Sequence, residues 1–244
     1  VGDRIFVTFT PNDTWLDDIH ANDWMSGDDI LWVPEYYTID FERNIEAING
    51  NEVTIDVPLV QPLQTKFGGG QICKTDYFST KRIYNCGVED LRLVGLGVDG
   101  DHPADDSGRL QSGIMLRYPE NCWVHGVSAV HASYATVDVR GAYRCTVEEC
   151  AYLVPYGPKS GGWRYAFVLD WLSGQVLFQR LYAEDGRHDF VCHSRMPGPN
   201  AFLDGFSIIG LTSGGHHRFS MGTLYDSLSL ESQLAGEHRG GDGS

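Results

Sequence analysis

One short pattern recurs six times along this chain and restricts its possible folds more than any other feature. Asn85-Cys86-Gly87-Val88-Glu89-Asp90-Leu91 aligns with Asn121-Cys122-Trp123-Val124-His125-Gly126-Val127 and with Arg144-Cys145-Thr146-Val147-Glu148-Glu149-Cys150. Segments starting at Gln175, Asn200 and near Thr223 continue the series, at offsets of 36, 23, 31, 25 and 22 residues. Three columns are apolar or aromatic in every row. They are Val88/Val124/Val147/Phe178/Leu203/Tyr225, Leu91/Val127/Cys150/Leu181/Phe206/Leu228 and Leu93/Ala129/Tyr152/Ala183/Ile208/Leu230. The column after the first is polar throughout: Glu89, His125, Glu148, Gln179, Asp204 and Asp226. A second strand precedes each of the later segments, with apolar residues at i and i+2 in Ile114/Leu116, Val137/Val139, Phe167/Leu169, Phe190/Cys192 and Phe219/Met221. Coils as short as 22 or 23 residues, with brief strands and no helix, suit a right-handed parallel β-helix. Each coil would bury its inward side chains by stacking on its neighbours. Leucine-rich repeats are the rival, but they require a regular length that these offsets lack.

Composition agrees with an all-β chain. Twenty-nine glycines and frequent Val, Ile, Thr, Tyr and Phe favour strands joined by turns, and only residues 13–21 and a few similar stretches offer a short helix. Residues 1–70 differ in texture. Asp3 to Phe9 and Glu52 to Val57 alternate as strands, Asn49-Gly50 signals a hairpin, and residues 15–37 form an inserted loop. The expectation is a small N-terminal β subdomain or cap over 1–70 and a β-helix over 71–244. Acidic residues number 33 against 18 basic, a net charge of −15, which disfavours nucleic acid as a partner. No apolar run reaches the ~20 residues of a membrane helix.

Cysteine spacing argues against a structural zinc site, since no CxxC pair occurs and no His lies at ligand spacing beside a Cys pair. Cys86, Cys122 and Cys145 share one column, read as a stack of small buried residues, with a Cys122–Cys145 disulfide as the alternative. Asn85 and Asn121 stack one place earlier, at a bend. Asn12-Asp13-Thr14 fits a glycosylation acceptor at Asn12 and points to a secreted, extracellular protein. With neither an initiator Met nor a leader, the chain reads as a mature form or a fragment. The carboxylates of Asp99, Asp101, Asp105 and Asp106 offer oxygen ligands for Ca²⁺, although they lack the twelve-residue loop pattern and also read as a solvated acidic loop. No other cofactor is expected.

The chemistry is expected on the outer face of the preceding strands. Three places past each inward start lie Arg117, Arg140, Asp170 and His193; one place before lie Thr136, Asp189 and Arg218; three before lie Tyr134, Arg164, Arg187 and His216. A cationic groove on an anionic protein suits an acidic, uronate-containing polysaccharide. The candidate catalytic residues are Arg187, His188, His193, Arg164, Asp189, His217 and Arg218. Arg140, Asp170, Tyr134, Arg117 and His216 are the candidate substrate-binding residues. β-Elimination from a uronate needs a cation on the carboxylate, a base for the α-proton and an acid for the leaving oxygen, and this set supplies all three. The bland alternative is a solvated ladder of ion pairs. A glycoside hydrolase, using Asp138 with Asp170 or Asp170 with Asp189, ranks behind the lyase. A non-catalytic structural or glycan-binding subunit, associating end to end through open coil ends, is the other class.

Several segments are similar to those of secreted proteins of the pectate-lyase-like superfamily. They are Asn121-Cys122-Trp123-Val124, Leu177-Phe178-Gln179-Arg180, Gly186-Arg187-His188-Asp189-Phe190-Val191, Pro197-Gly198-Pro199-Asn200, Phe202-Leu203-Asp204, His216-His217-Arg218 and Gly222-Thr223-Leu224. The resemblance covers most of the chain from about residue 70, and more loosely Gly2-Asp3 and Gly50-Asn51. It implies a right-handed β-helix and a carbohydrate-related role. In those relatives the stretch resembling His238-Arg239-Gly240-Gly241 runs on into further coils, which implies a β-helix shortened at its C-terminus here. The Ca²⁺ ligands and Arg base of the pectate lyases proper do not map onto this chain residue by residue.

Overall fold

The computed structural model describes residues 1–23, 31–74, 81–96, 109–216 and 219–236. The chain is all-β, apart from one short α-helix and two 3₁₀ turns among the described residues. Three parallel sheets are built from the described residues between 83 and 235, and the chain visits them in rotation, so that each coil adds a strand to each sheet; the short strands Ile83–Tyr84 and Pro119–Glu120 join the first of them as well. Sheet I holds Gly87–Glu89, Trp123–His125, Tyr143–Glu148, Gly174–Gln179, Asn200–Leu203 and Thr223–Asp226. Sheet II holds Arg92–Val94, Ser128–Val130, Ala151–Leu153, Tyr182–Glu184, Phe206–Ile208 and Ser229–Leu230. Sheet III holds Ser112–Arg117, Ala135–Arg140, Tyr165–Asp170, His188–Cys192, Thr212–Gly215 and Gln233–Ala235.

The inward columns are the repeating columns of the sequence. Val88, Val124, Val147 and Phe178 pair in register on adjacent strands of sheet I, and Leu93, Ala129, Tyr152 and Ala183 do so on sheet II. Rings stack from coil to coil, buried Phe178 on buried Phe202 at 4.8 Å and Phe202 on partly buried Tyr225 at 5.3 Å between centroids. One row differs from the sequence alignment. Phe178 pairs with Phe202, not Leu203, and Ala183 pairs with Ser207, not Ile208. Phe202, Gly205 and Ser207 therefore face inward, while Leu203, Phe206 and Ile208 face out. A one-residue slip turns over every side chain of a strand, and this row carries apolar residues on both faces. Phe206, half-exposed, stacks on Tyr182 of the neighbouring coil instead.

Every coil turns from sheet I to sheet II through one residue in the left-handed region: Asp90, Gly126, Glu149, Arg180, Asp204 and Ser227, with φ between 51° and 62°. Five of the six carry a side chain, at a cost of roughly 1–2 kcal/mol each. The gain is an unbroken ladder at the corner, since Asp90 N–H donates to His125 O at 3.0 Å, and Gly126, Glu149, Arg180 and Asp204 repeat the bond. The inward residue of sheet II consequently follows that of sheet I by five places in every coil. The irregular offsets arise elsewhere, chiefly between sheets II and III, where the loop at 154–164 is inserted.

The last expected outer strand is also displaced. Phe219 and Met221 do not belong to sheet III. The fifth strand there is Thr212–Gly215, and the two apolar side chains pack into the core of the N-terminal sheet. That sheet is antiparallel, in the order β3-β2-β1-β4, from β1 (Arg4–Phe9), β2 (Ile39–Asn49), β3 (Glu52–Ile55) and β4 (Gly70–Lys74), so it reaches beyond the expected boundary at 70. Asn12 caps helix α1 (Asp13–Asp18): its Oδ1 accepts from Trp15 N–H at 3.1 Å and its Nδ2 donates to Lys66 O at 3.0 Å. The amide of the glycosylation acceptor is thus engaged by the fold. The N-terminal sheet lies along the flank of the coils. Arg4 forks onto Glu120 at 2.6 Å, Asp56 accepts from Tyr143 at 2.7 Å and pairs with Arg144 at 2.8 Å, and Trp15 meets Phe219 edge-on. All six cysteines are free thiols, and Cys86, Cys122 and Cys145 follow one another up the stack, with the first two sulfurs 3.6 Å apart.

The register has a direct test. Phe202→Ala should lower unfolding free energy by about 3–5 kcal/mol in urea titration, whereas Leu203→Ala should cost under about 1 kcal/mol. Equal losses would contradict the inward assignment of Phe202.

Candidate functional site

Sheet III carries its chemistry on its outer face. Asp138, Val168, Val191 and Gly214 pair in register along the middle of that face, forming a largely apolar floor. Gly214 has φ 126°, and a Cβ there would collide with the Ala235 carbonyl 2.2 Å away, so only glycine lets the next strand approach. On one side of the floor stand Tyr165, His188 and Thr212, paired in register. On the other, consecutive coils bring Arg117, Arg140, Asp170, His193 and His216 to the ends of their strands.

Four rings meet above this floor. Tyr165 lies 4.8 Å from His188 and 5.3 Å from both His193 and His216, and His216 lies 4.7 Å from His188 and 5.0 Å from His193. The Tyr165 hydroxyl shares a hydrogen bond of 3.1 Å with His216 Nε2 and accepts from Arg187 Nη1 at 2.9 Å. The Arg187 guanidinium also sits over the Tyr165 ring and donates to Gly161 O. His188 Nδ1 bonds Thr212 Oγ1, and Tyr134 leans on Tyr165 with centroids 5.2 Å apart. Burial holds the His193 imidazole below its ordinary pKa, opposed by Asp170 and Asp138 nearby, so the ring is neutral at pH 7. Burial, reinforced by Asp138, pushes the Tyr134 phenol up.

The expected residues do not all reach one place. His188, His193, His216, Tyr134 and Arg187 converge on one spot, with Asp170 and Arg140 at its edge. Arg140 is not a free cation: its guanidinium holds Asp138 at 3.0–3.1 Å and reaches Asp170 at 3.4 Å. Arg117 continues the ladder as an exposed side chain beside Arg140. Arg164 is directed elsewhere, donating to Gly157 O at 2.8 Å and pairing with Asp185 at 2.6 Å, so it secures a loop instead of facing the rings. The cationic groove is therefore largely neutralised, and among the described residues Arg187 has no carboxylate partner. Asp189 is a correction. It is fully buried inside the coil, accepting from Ser207 Oγ at 2.5 Å, at the point where the ladder to the next strand slips in register between His188 and Val191. A Cβ on Gly186 or Gly210 would sit about 2 Å from its oxygens, so both glycines make room for it. The Asp170–Asp189 hydrolase pair is thereby excluded, since the two lie on opposite faces. His217, Arg218 and the Asp99, Asp101, Asp105 and Asp106 set lie outside the described residues. Among the described residues no cluster of three His, Cys, Asp or Glu fits a metal ion.

Tyr165 was missed by sequence reasoning. It precedes Phe167 and Leu169 in a strand whose two faces are both buried, so alternation did not single it out; its position one coil before His188 was the available signal. No protein-family model, curated protein or solved structure matches the chain.

Burial pushes the Asp189 carboxyl up to about 6, partly offset by Ser207. The folded carboxyl holds its proton more tightly than the unfolded one, so its contribution to stability is fully present below the ordinary carboxylate range and is lost as pH rises through about 6. Asp189→Asn should therefore gain stability relative to the parent by roughly 2–3 kcal/mol between pH 4 and pH 7.5. Chemical denaturation at the two pH values measures it, and a pH-independent difference would show that the carboxyl is not buried.

Proposed function

We propose that this chain is a right-handed parallel β-helix protein that acts outside the cell as a lyase on an acidic, uronate-containing polysaccharide, with the rings above sheet III as its site. The right-handed sense is the general rule for connections between parallel strands of one sheet. The observation that carries the reading is the Tyr165 hydroxyl, held between the Arg187 guanidinium and the His216 imidazole. Arg187 neutralises the uronate carboxylate and so acidifies the α-proton. His193, kept neutral by its apolar floor, accepts that proton. The electron pair left behind forms the carbon–carbon double bond, the glycosidic carbon–oxygen bond breaks, and the leaving oxygen takes the proton of the Tyr165 hydroxyl, which His216 orients. No oxidant or water is consumed. Hydrolysis by Asp138 and Asp170 is the weaker reading, because one guanidinium ties both carboxylates.

The test is to incubate the protein with polygalacturonate, alginate and glycosaminoglycans and to follow the ultraviolet absorbance of new unsaturated chain ends. Tyr165→Phe should lower kcat roughly 100- to 10,000-fold with KM little changed. Arg180→Ala, which breaks ion pairs to Glu148 and Glu149 away from the rings, should leave kcat within a few-fold. No product from any polymer would favour a non-catalytic binding or structural role, and a full rate in Tyr165→Phe would move the site elsewhere.

A further inference from the structure

The reactive groups of this site are nearly closed to solvent. Tyr165 is 3% exposed and His216 8%, yet a polymer must touch the phenol oxygen to react. The loop at 154–163, inserted between sheets II and III, accounts for part of that closure. Its Gly161 carbonyl accepts from Arg187 Nη1 and, at 3.4 Å, from the Tyr165 hydroxyl, the two donors that face the reaction centre. We infer that this loop is a lid, and that the Gly161 carbonyl occupies the position in which a substrate oxygen binds Arg187 and Tyr165.

Three features point the same way. The loop's C-terminal root is fixed, because Arg164 binds Gly157 O and Asp185 together. Its tip is held by separable contacts: Lys159 Nζ reaches Asp185 Oδ1 at 2.8 Å and Ile209 O, and Gly161 meets Arg187. Between root and tip the backbone is permissive. Gly157 and Gly161 have φ of 88° and 57°, and nothing lies within 4 Å of a Cβ placed on Gly162. Opening breaks a latch of one ammonium and one carbonyl without disturbing the coil, and it frees a guanidinium and a phenol that point the same way. An anionic oxygen binds the Arg187 guanidinium more strongly than a neutral amide carbonyl does, so a carboxylate displaces the lid and leaves the Tyr165 hydroxyl open to a second substrate oxygen. That the entering oxygen belongs to a uronate rests on the reading above; the gating does not.

Lys159→Met releases the latch, and the probe is tetranitromethane nitration of Tyr165, read by peptide mass mapping alongside hydrogen exchange. Exchange over 155–163 and Tyr165 nitration should both quicken by about tenfold, while strands Tyr165–Asp170 and His188–Cys192 keep their protection and report an intact fold. Faster loop exchange with unchanged nitration overturns the lid, as does unchanged exchange. Nitration of Tyr165 in the parent protein as fast as that of Tyr36, 53% exposed, overturns it without any variant. If nitration responds as expected but no polymer yields unsaturated ends, the lid stands and the lyase reading fails.

Discussion

Everything in this fold depends on side chains of successive coils lying directly above one another at the strand spacing. A single coil of some two dozen residues cannot exclude water from Val147 or Phe178. Stacked in register, the same residues reach complete burial, and the aromatic column Phe178–Phe202–Tyr225 runs through three coils. The left-handed residue at each sheet I–II corner preserves that register, since the coil-to-coil hydrogen bonds continue through the bend. Length variation is thereby confined to the other corners, and the loop beside the ring cluster is one of those places.

The same stacking sets the electrostatics. Side chains on the outer face of sheet III are spaced by the coils, so opposite charges that fall in one ladder neutralise each other, as Arg140 does with Asp138 and Asp170. What distinguishes the Tyr165 neighbourhood is an apolar floor under polar rings. Val168 and Val191 pack with Tyr165 there, and burial of the His193 imidazole lowers its pKa despite two nearby carboxylates. Inside the coil, Asp189 meets the same low polarity, and burial raises its pKa to about 6 despite the Ser207 hydroxyl that donates to it.

The coil repeat was legible because inward positions recur as apolar residues at a constant internal spacing, while the insertions fall between the sheets. The Asn200–Leu203 row could be read in two registers, since Phe202 and Leu203, and again Ser207 beside Phe206 and Ile208, put apolar groups on either face. Phe219 and Met221 imitate a strand, but their partners are Trp15 and the N-terminal core, contacts no local pattern announces; the true strand, Thr212–Gly215, has almost no apolar content. For the site, the histidines and Arg187 were visible as a cluster in the sequence. Arg164 and Asp189 were not separable from them, because a loop contact at Gly157 and Asp185 and a slip in the ladder at His188–Val191 decide where those two side chains go, and Tyr165 was concealed by a strand buried on both sides.

The N-terminal sheet clasps corners of several coils, with Arg4 on Glu120, Arg43 reaching Gly198 and Trp15 against Phe219. A bare solenoid can assemble coil by coil as it leaves the ribosome, each turn docking on the one before. Here the N-terminal strands pair among themselves, but their contacts to the coils are spread along the chain, from Glu120 to Gly198 and Phe219. The sheet can pair its own strands early, but its seat against the solenoid is complete only once the coil that ends near Phe219 exists, so its aromatic core stays open along that edge while the coils accumulate.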